Sequence, residues 1–247
     1  FRAPAFSETA RDYAAMEMVS SLYFGPTSEL YRKLVVEEQK VDQIFVDNPG
    51  GVDPGLFTVF ARLKKAEDAA SVRDRIMEAA ALARAGAIHY GAEVQPRALS
   101  DSRLNDAKAN TRYSFVRTLD STDRIASVVA AYAPYARSFQ TVNHLFGVLD
   151  ALRPADLQAA AGKYFIDAGL VVATLSQEPL GDAVAKLPSL SSFKVERAEG
   201  LYAMGNLAEA EKMFHFLLDQ SPGNPNCLFG LACIQLRTGR LLDALNI

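Results

Sequence analysis

A six-residue segment near the C-terminus of the chain recurs at a distance of 34 residues. The sequence GNLAEA at 205–210 returns as GRLLDA at 239–244, with the glycine, the leucine and the final alanine in matching places. A repeat of about this length is typical of helix pairs that stack on one another, because a single pair cannot bury its own apolar face. We therefore predict helical repeats over residues 193–247, the second of them incomplete.

The period of 34 residues is that of tetratricopeptide helix pairs, and the segment 193–247 resembles them. The resemblance implies a surface that binds another protein. Because the chain stops at Ile247, in the middle of the second copy, we expect it to be a fragment or to end in an incomplete array.

Composition is that of a globular protein. The chain has 247 residues, of which 49% are hydrophobic and 22% charged, so it is long enough for one large and one small domain. The formal net charge of −3 leaves no strong basic surplus, which argues against nucleic acid and anionic membranes as partners. No apolar run reaches the roughly 18 residues of a membrane span, so none is predicted.

Residues 1–180 carry strand and helix patterns in an irregular order. Strand patterns rich in Val, Ile and Phe occur at 1–6, 41–46, 56–63 and 169–176. Helical patterns occur between the expected caps Ser7 and Gly25, and at 28–38, 66–85, 99–118, 121–135, 139–149 and 154–165. Because strands and helices do not alternate as in βαβ units, we predict an α+β fold, a two-layer mixed sheet with helices.

The stretch between the two regions has the composition of a connection. Residues 177–192 contain two prolines, one glycine and several serines, and they show no helical or strand period. We predict a first domain at 1–180, a linker at 181–192 and the repeats at 193–247.

Two stretches of the first domain carry a family resemblance. The first is GPTSELYRKLVVEEQ at 25–39, followed by the strand IFV at 44–46. The second is DALRPADL at 150–157, followed by AGKYF at 161–165 and an apolar segment. Together they resemble the pitrilysin/insulinase family of zinc metallopeptidases. In that family two similar domains close around an unfolded substrate, and one of them holds zinc on an inverted His-x-x-Glu-His helix with a distant Glu.

The three histidines do not match that zinc helix. His89, His144 and His215 each lack a second histidine within five residues, whereas two histidines one helical turn apart are needed to reach the same metal. The resemblance therefore implies the non-zinc, C-terminal half of a two-domain peptidase unit. We expect no metal and no cofactor in this chain, and zinc in a partner half.

Active relatives often carry an Arg and a Tyr in the non-zinc half that reach the substrate carbonyl. The matching positions here are Val35 and Asp42. Valine has no donor, and an aspartate would repel a developing oxyanion. We predict no catalytic residue, and we take Arg32, Arg112 and Tyr113 as candidates for contact with substrate.

The leading hypothesis is a non-catalytic peptidase half that encloses a peptide or unfolded protein opposite a zinc-bearing half. That half belongs to the same polypeptide or to a separate subunit, and the repeats bind a protein partner. The alternative is an inactive scaffold or docking protein, which Val35 and Asp42 favour; an unrelated α+β enzyme is a third reading. Bacterial relatives are often envelope proteins, so the resemblance points to the periplasm or cell envelope.

Overall fold

The computed structural model describes residues 1–48, 50–89, 96–136, 138, 140–177, 179–185, 188–190, 198–199, 201–202, 205–220 and 223–240. The chain divides into two compact units, Phe1–Lys186 and Leu187–Ile247. The predicted boundaries of the domains, with a linker at 181–192, stay predictions.

The first unit is mainly helical. Its helices are α1 Arg11–Val19, α2 Glu29–Tyr31, α3 Ala69–Ala85, α4 Asp101–Arg117, α5 Thr122–Ala136, α6 Thr141–Ala151, α7 Pro154–Tyr164 and α8 Asp182–Ala185. Short 3-10 turns lie at Ala66–Asp68 and Asp167–Gly169. Each longer predicted helix is present, and together with the strands they confirm the α+β class.

The strands form two small antiparallel sheets. Strand β1 Val41–Asp47 pairs with β2 Thr58–Leu63, and Phe45 faces Phe60 across the pair. Strand β3 Ala87–Ile88 pairs with β4 Arg97–Ala98. Strands β1 and β2 lie where the sequence predicts strands, at 41–46 and 56–63.

Two predicted strands are not strands of either sheet. Residues 1–6 pair with the segment before β2 through a bridge between Arg2 and Leu56 and through hydrogen bonds such as that of the Ala3 N–H to the Gly55 carbonyl at 2.9 Å, but they form no regular strand. Residues 170–176 belong to neither sheet. In the latter segment Val171 and Leu175 are 71% and 101% exposed. Apolar composition suggests a strand, but a strand also needs a neighbouring strand for its backbone hydrogen bonds, and 170–176 is part of neither described sheet.

Two helices continue into wider π-helical segments. Ser20–Phe24 follows α1, and Arg32–Glu37 follows α2. Ser28 caps α2, with its Oγ accepting from the Tyr31 N–H at 3.1 Å. The predicted cap Ser7 lies one turn too early, because its Oγ accepts from the Ala10 N–H at 2.9 Å and the helix begins only afterwards.

Gly25 ends the first π-helical segment for a steric reason. Its φ of −70° is open to any residue, but a Cβ there would lie 2.5 Å from the Ser21 carbonyl oxygen. Glycine is therefore required by the close approach of the backbone, and not by a left-handed conformation.

The core of the first unit lies where α7 packs against α1 and α3. Phe165, fully buried after α7, has its ring 4.8 Å from that of Phe1, 6.1 Å from Phe24 and 5.0 Å from Phe57. One aromatic side chain thus joins the N-terminus, the first π-helical segment and the start of β2 to the last long helix.

The second unit contains helices α9 Leu207–Gln220 and α10 Pro225–Arg237. The turns that precede α9 and follow α10 have the same backbone structure. Gly205 and Gly239 have φ of 80° and 79°, and each donates to the carbonyl three residues earlier, at 3.0 Å and 3.2 Å. Asn206 and Arg240 each donate to the carbonyl five residues earlier, at 2.9 Å and 2.8 Å. The two turns, which lie 34 residues apart, therefore repeat in backbone conformation as well as in sequence.

A small apolar core joins α9 to α10. Its buried members are Ala198, Ala210, Phe214, Leu217, Cys227, Leu231 and Ile234. Gly230 leaves room for the Phe214 ring, since a Cβ there would lie 2.3 Å from Phe214 Cζ. Most of the predicted helix ending near Met204, and the second repeat beyond Arg240, lie outside the described residues.

A pair of glycine substitutions tests the backbone contact at Gly25. Gly25→Ala should lower the free energy of unfolding by about 1–3 kcal/mol, because the added methyl overlaps the Ser21 carbonyl. Gly147→Ala, inside α6 with no atom within 4 Å of the added Cβ, should raise it by about 0.5–1 kcal/mol. Urea denaturation of both variants measures the difference; equal effects would refute the steric role of Gly25.

Limited proteolysis tests the predicted linker. Residues 177–192 carry proline, glycine and serine without an amphipathic period, so a protease present at low concentration should cut there first. Mass spectrometry of the early fragments identifies the site. Early cuts inside α3, with 177–192 intact, would contradict the boundary.

Candidate functional site

The candidate Arg32 is held by glutamates of its own helical segment. Its Nε and Nη2 donate to the two carboxylate oxygens of Glu29 at 2.9 Å and 2.6 Å, and its Nη1 pairs with Glu37. The hydrogen bond to Glu29 raises the pKa of Arg32 above its ordinary value. A substrate carbonyl would have to compete with these charge-assisted bonds for the guanidinium.

The candidates Arg112 and Tyr113 lie on α4. Arg112 Nη2 is 2.5 Å from Asp150 Oδ2, and its guanidinium lies 5.7 Å from the centre of the Phe146 ring. Tyr113 is 64% exposed, with the Arg117 guanidinium 5.8 Å from its ring centre. Arg32 thus lies in the second π-helical segment, and the other two candidates lie on α4. Their contact with substrate stays a prediction.

The two positions aligned with the family's Arg and Tyr have different surroundings. Val35 is half-buried in the second π-helical segment. Asp42 is exposed on β1, with the Lys64 ammonium 3.9 Å from Oδ1. Neither side chain offers a neutral or positive donor for an oxyanion.

The three histidines have different local surroundings. His144 Nδ1 lies 3.1 Å from Glu8 Oε1, His215 is an exposed residue of α9, and His89 follows β3. In the part of the chain that the structure describes, no three His, Cys, Asp or Glu residues are grouped so that they could hold a metal. A protein zinc site needs at least three ligands, so the described residues do not fit zinc.

A small pocket opens between the two π-helical segments and α3. Its volume is about 40 Å³. Its apolar lining consists of Leu22, Leu30, Leu34, Ala79, Leu82 and Ile88, and its polar lining of Tyr23, Glu29, Lys33, Arg75, Glu78 and His89. Both helical segments widen to the π form where they border it, and such segments are frequent at functional sites.

A partly buried carboxylate, which the sequence motifs did not indicate, lies in the first helix. Glu17, in α1, accepts from Asn48 Nδ2 at 2.9 Å and from the Tyr13 hydroxyl. Burial raises the pKa of Glu17 although these hydrogen bonds oppose the rise. The signal was present in the sequence, since Glu17 interrupts the apolar run 14–19.

Tyr13, which donates to this carboxylate, belongs to a cluster of aromatic rings around Phe6. The Phe6 ring centre lies 5.0 Å from that of Tyr13, 5.9 Å from Tyr132 and 4.0 Å from Tyr135. Burial raises the pKa of Tyr13 and of Tyr132, so both hydroxyls stay neutral at physiological pH. The Tyr135 hydroxyl donates to the Gly50 carbonyl. Together with Asn48, these contacts fix the loop after β1 to α1 and α5.

The fold is similar to that of two solved structures. A protease from Helicobacter pylori matches with a TM-score of 0.57 and 22% sequence identity, over 68% of this chain and 37% of that one. A presumed zinc protease from Bordetella pertussis Tohama I matches with a TM-score of 0.53 and 14% identity, over 68% of this chain and 87% of that one. The chain thus spans little more than a third of the Helicobacter protein, and at these identities the likeness concerns the fold.

The second unit has a match of its own. Residues 201–247 match the tetratricopeptide repeat model. No curated protein matches the chain. A fold shared with proteases is therefore joined to a repeat of a kind that binds proteins, and among the described residues no helix is long and apolar enough to cross a membrane.

Replacement of Glu17 tests the partly buried carboxylate. Because the pKa of Glu17 is raised in the folded protein, folding favours its protonated form. Its contribution to the free energy of unfolding is therefore complete below the pKa of the unfolded state, and it is lost as the pH rises through the pKa of the folded state. Glu17→Gln mimics the protonated form and should melt at a higher temperature than the wild type at pH 7–8, with the difference shrinking towards pH 4. Thermal melts across this range measure it.

Glu67→Gln is the control, because Glu67 has a side chain that is 76% exposed. It should change the melting temperature little at any pH. A Glu17→Gln protein that is less stable than the wild type at pH 8 would show that the ionised carboxylate is needed by its hydrogen-bond donors.

Proposed function

We propose that the first unit is the non-catalytic half of a two-domain zinc metallopeptidase unit. It encloses a peptide or unfolded protein opposite a zinc-bearing partner half, and the second unit binds a further protein. The observation that carries the proposal is the fold likeness to a protease and to a presumed zinc protease. The zinc-bearing half belongs to the same polypeptide or to a separate subunit.

The histidine pattern supports a division of labour between two halves. Two zinc-binding histidines of this family lie one turn apart on a helix, and no two of the three histidines here are so spaced. The described histidines are also held in unrelated surroundings, with His144 beside Glu8 and His215 on α9. The metal and the water that it activates would then come from the partner half.

The role of the chain would be shape and enclosure. A chamber wall raises the rate of cleavage by holding the substrate near the reactive group and by excluding bulk water. Arg112 and Tyr113 lie at least half exposed on α4 and are the better placed of the candidate contacts, because Arg32 is bound to two glutamates.

A scaffold without peptidase function is the second candidate. Val35 and Asp42 align with the substrate-contacting Arg and Tyr of the family, and the repeat match supports protein binding. In this reading the first unit keeps the peptidase fold only as a docking surface, for which no substrate chamber is needed.

Reconstitution of cleavage distinguishes the two. The full chain is incubated with fluorescently quenched unfolded casein, alone and with the His-x-x-Glu-His half encoded in the same genome. We expect no cleavage by the chain alone, and chelator-sensitive cleavage by the pair that is at least about tenfold faster than by the zinc-bearing half alone.

Two results would contradict the proposal. Chelator-sensitive cleavage by the highly purified chain alone would show that it holds its own metal. A zinc-bearing half that cleaves equally fast with and without the chain would favour the scaffold.

A further inference from the structure

The pocket between the π-helical segments combines a buried apolar lining with charged side chains nearer to solvent. Leu22, Leu34 and Ile88 are 2%, 1% and 5% exposed, whereas the side chains of Lys33 and Arg75 are 30% and 40% exposed. The apolar groups therefore lie at the bottom and the charged groups around the opening. We propose that this pocket binds one branched aliphatic side chain, leucine or valine, of an extended peptide.

The size of the pocket limits the occupant. A water-sized group needs about 10–15 Å³ of such volume, so the 40 Å³ available holds roughly three or four bonded heavy atoms. This matches an isopropyl or isobutyl group. An indole ring is too large, and pockets for drug-sized ligands are about 300–1,000 Å³.

The charges around the opening exclude a charged occupant. Lys33 lies 3.3 Å from Glu29, and Arg75 lies 3.7 Å from Glu78 and 3.4 Å from Glu38. The cations thus already have carboxylate partners, and the apolar bottom offers none. A lysine or aspartate side chain would have to break one of these ion pairs to gain a counter-charge, which is unfavourable.

So small a group must be part of a longer chain. Three or four heavy atoms contribute too little free energy to offset the loss of translational freedom of a free ligand. Carried by a peptide, the same group fixes the position of the chain at one point. The inference thus rests on the proposed function, in which the first unit holds an unfolded substrate, and it names an anchor residue for that substrate.

Guest peptides test the anchor. Fluorescein-labelled peptides of Ala, Thr and Ser, with one central guest residue, are titrated with the full chain and followed by anisotropy. Leucine and valine guests should bind about tenfold more tightly than alanine, because each buried methylene adds to the free energy of transfer. Aspartate, lysine and tryptophan guests should bind no better than alanine.

A variant in which a larger side chain fills the pocket tests whether the pocket causes the preference for leucine. Ala79 lines the pocket and is 6% exposed, so Ala79→Leu should fill the pocket and abolish the preference for leucine over alanine. Ala109→Leu, the same change on the exposed face of α4, is the matched control and should keep the preference. If Ala79→Leu lacks the circular dichroism spectrum of the wild type, Leu82→Ala replaces it, and the wider pocket should shift the preference from leucine to phenylalanine.

The outcomes separate this inference from the proposed function. Equal binding of leucine and alanine guests by the wild type, or a leucine preference that survives in Ala79→Leu, overturns the anchor. An unchanged preference in Leu82→Ala overturns it too. If no guest peptide binds while the pair of halves still cleaves casein, only the anchor fails; if the pair does not cleave either, both fail.

Discussion

The packing of α7 against α1 and α3 is the interaction on which the first unit depends. Phe165 brings Phe1, Phe24 and Phe57 into one aromatic cluster, and these rings come from four distant parts of the sequence. Aromatic side chains bury large areas and prefer tilted or edge-on contacts, so a cluster of this kind fixes orientation as well as proximity. The cluster thus connects the first π-helical segment and the residue before β2 to the end of α7.

Hydrogen-bonded ion pairs between α1 and α7 fix how these two helices are oriented against each other. Asp156 accepts two bonds from Arg11 at 2.9 Å, and Asp12 accepts from Lys163 at 2.6 Å and from the Tyr164 hydroxyl at 2.8 Å. Burial alone would raise the pKa of Asp12, but these hydrogen bonds hold it below its ordinary value. The Lys-Tyr pair that carries the family resemblance therefore has a structural role, which explains why such a motif marks a fold without marking a catalytic site.

The candidate site could be predicted from the sequence less completely than the fold could. It identified Arg32, but its two glutamate partners became visible only when Glu29 and Glu37 were placed around the guanidinium. It did not indicate the pocket, whose lining comes from four helical segments and from the end of β3, because contacts between distant segments have no local sequence pattern. Glu17 could have been noticed as a charge within an apolar run. Its shielding from solvent, however, depends on the packing of Asn48 and of the tyrosine rings in the folded chain.

Residues close in sequence determined most of the secondary structure of this chain, whereas contacts between distant segments determined which apolar segments became strands and where the helices widened. The sequence by itself determined the helices, the positions of strands β1 and β2 and the 34-residue period, because spacing and glycine conformations act within a few residues. It did not decide whether 170–176 is a strand, since a strand exists only through hydrogen bonds to a neighbour that the segment itself does not contain. It did not foresee the π-helical segments either, because whether the backbone widens there depends on the side chains that pack against it.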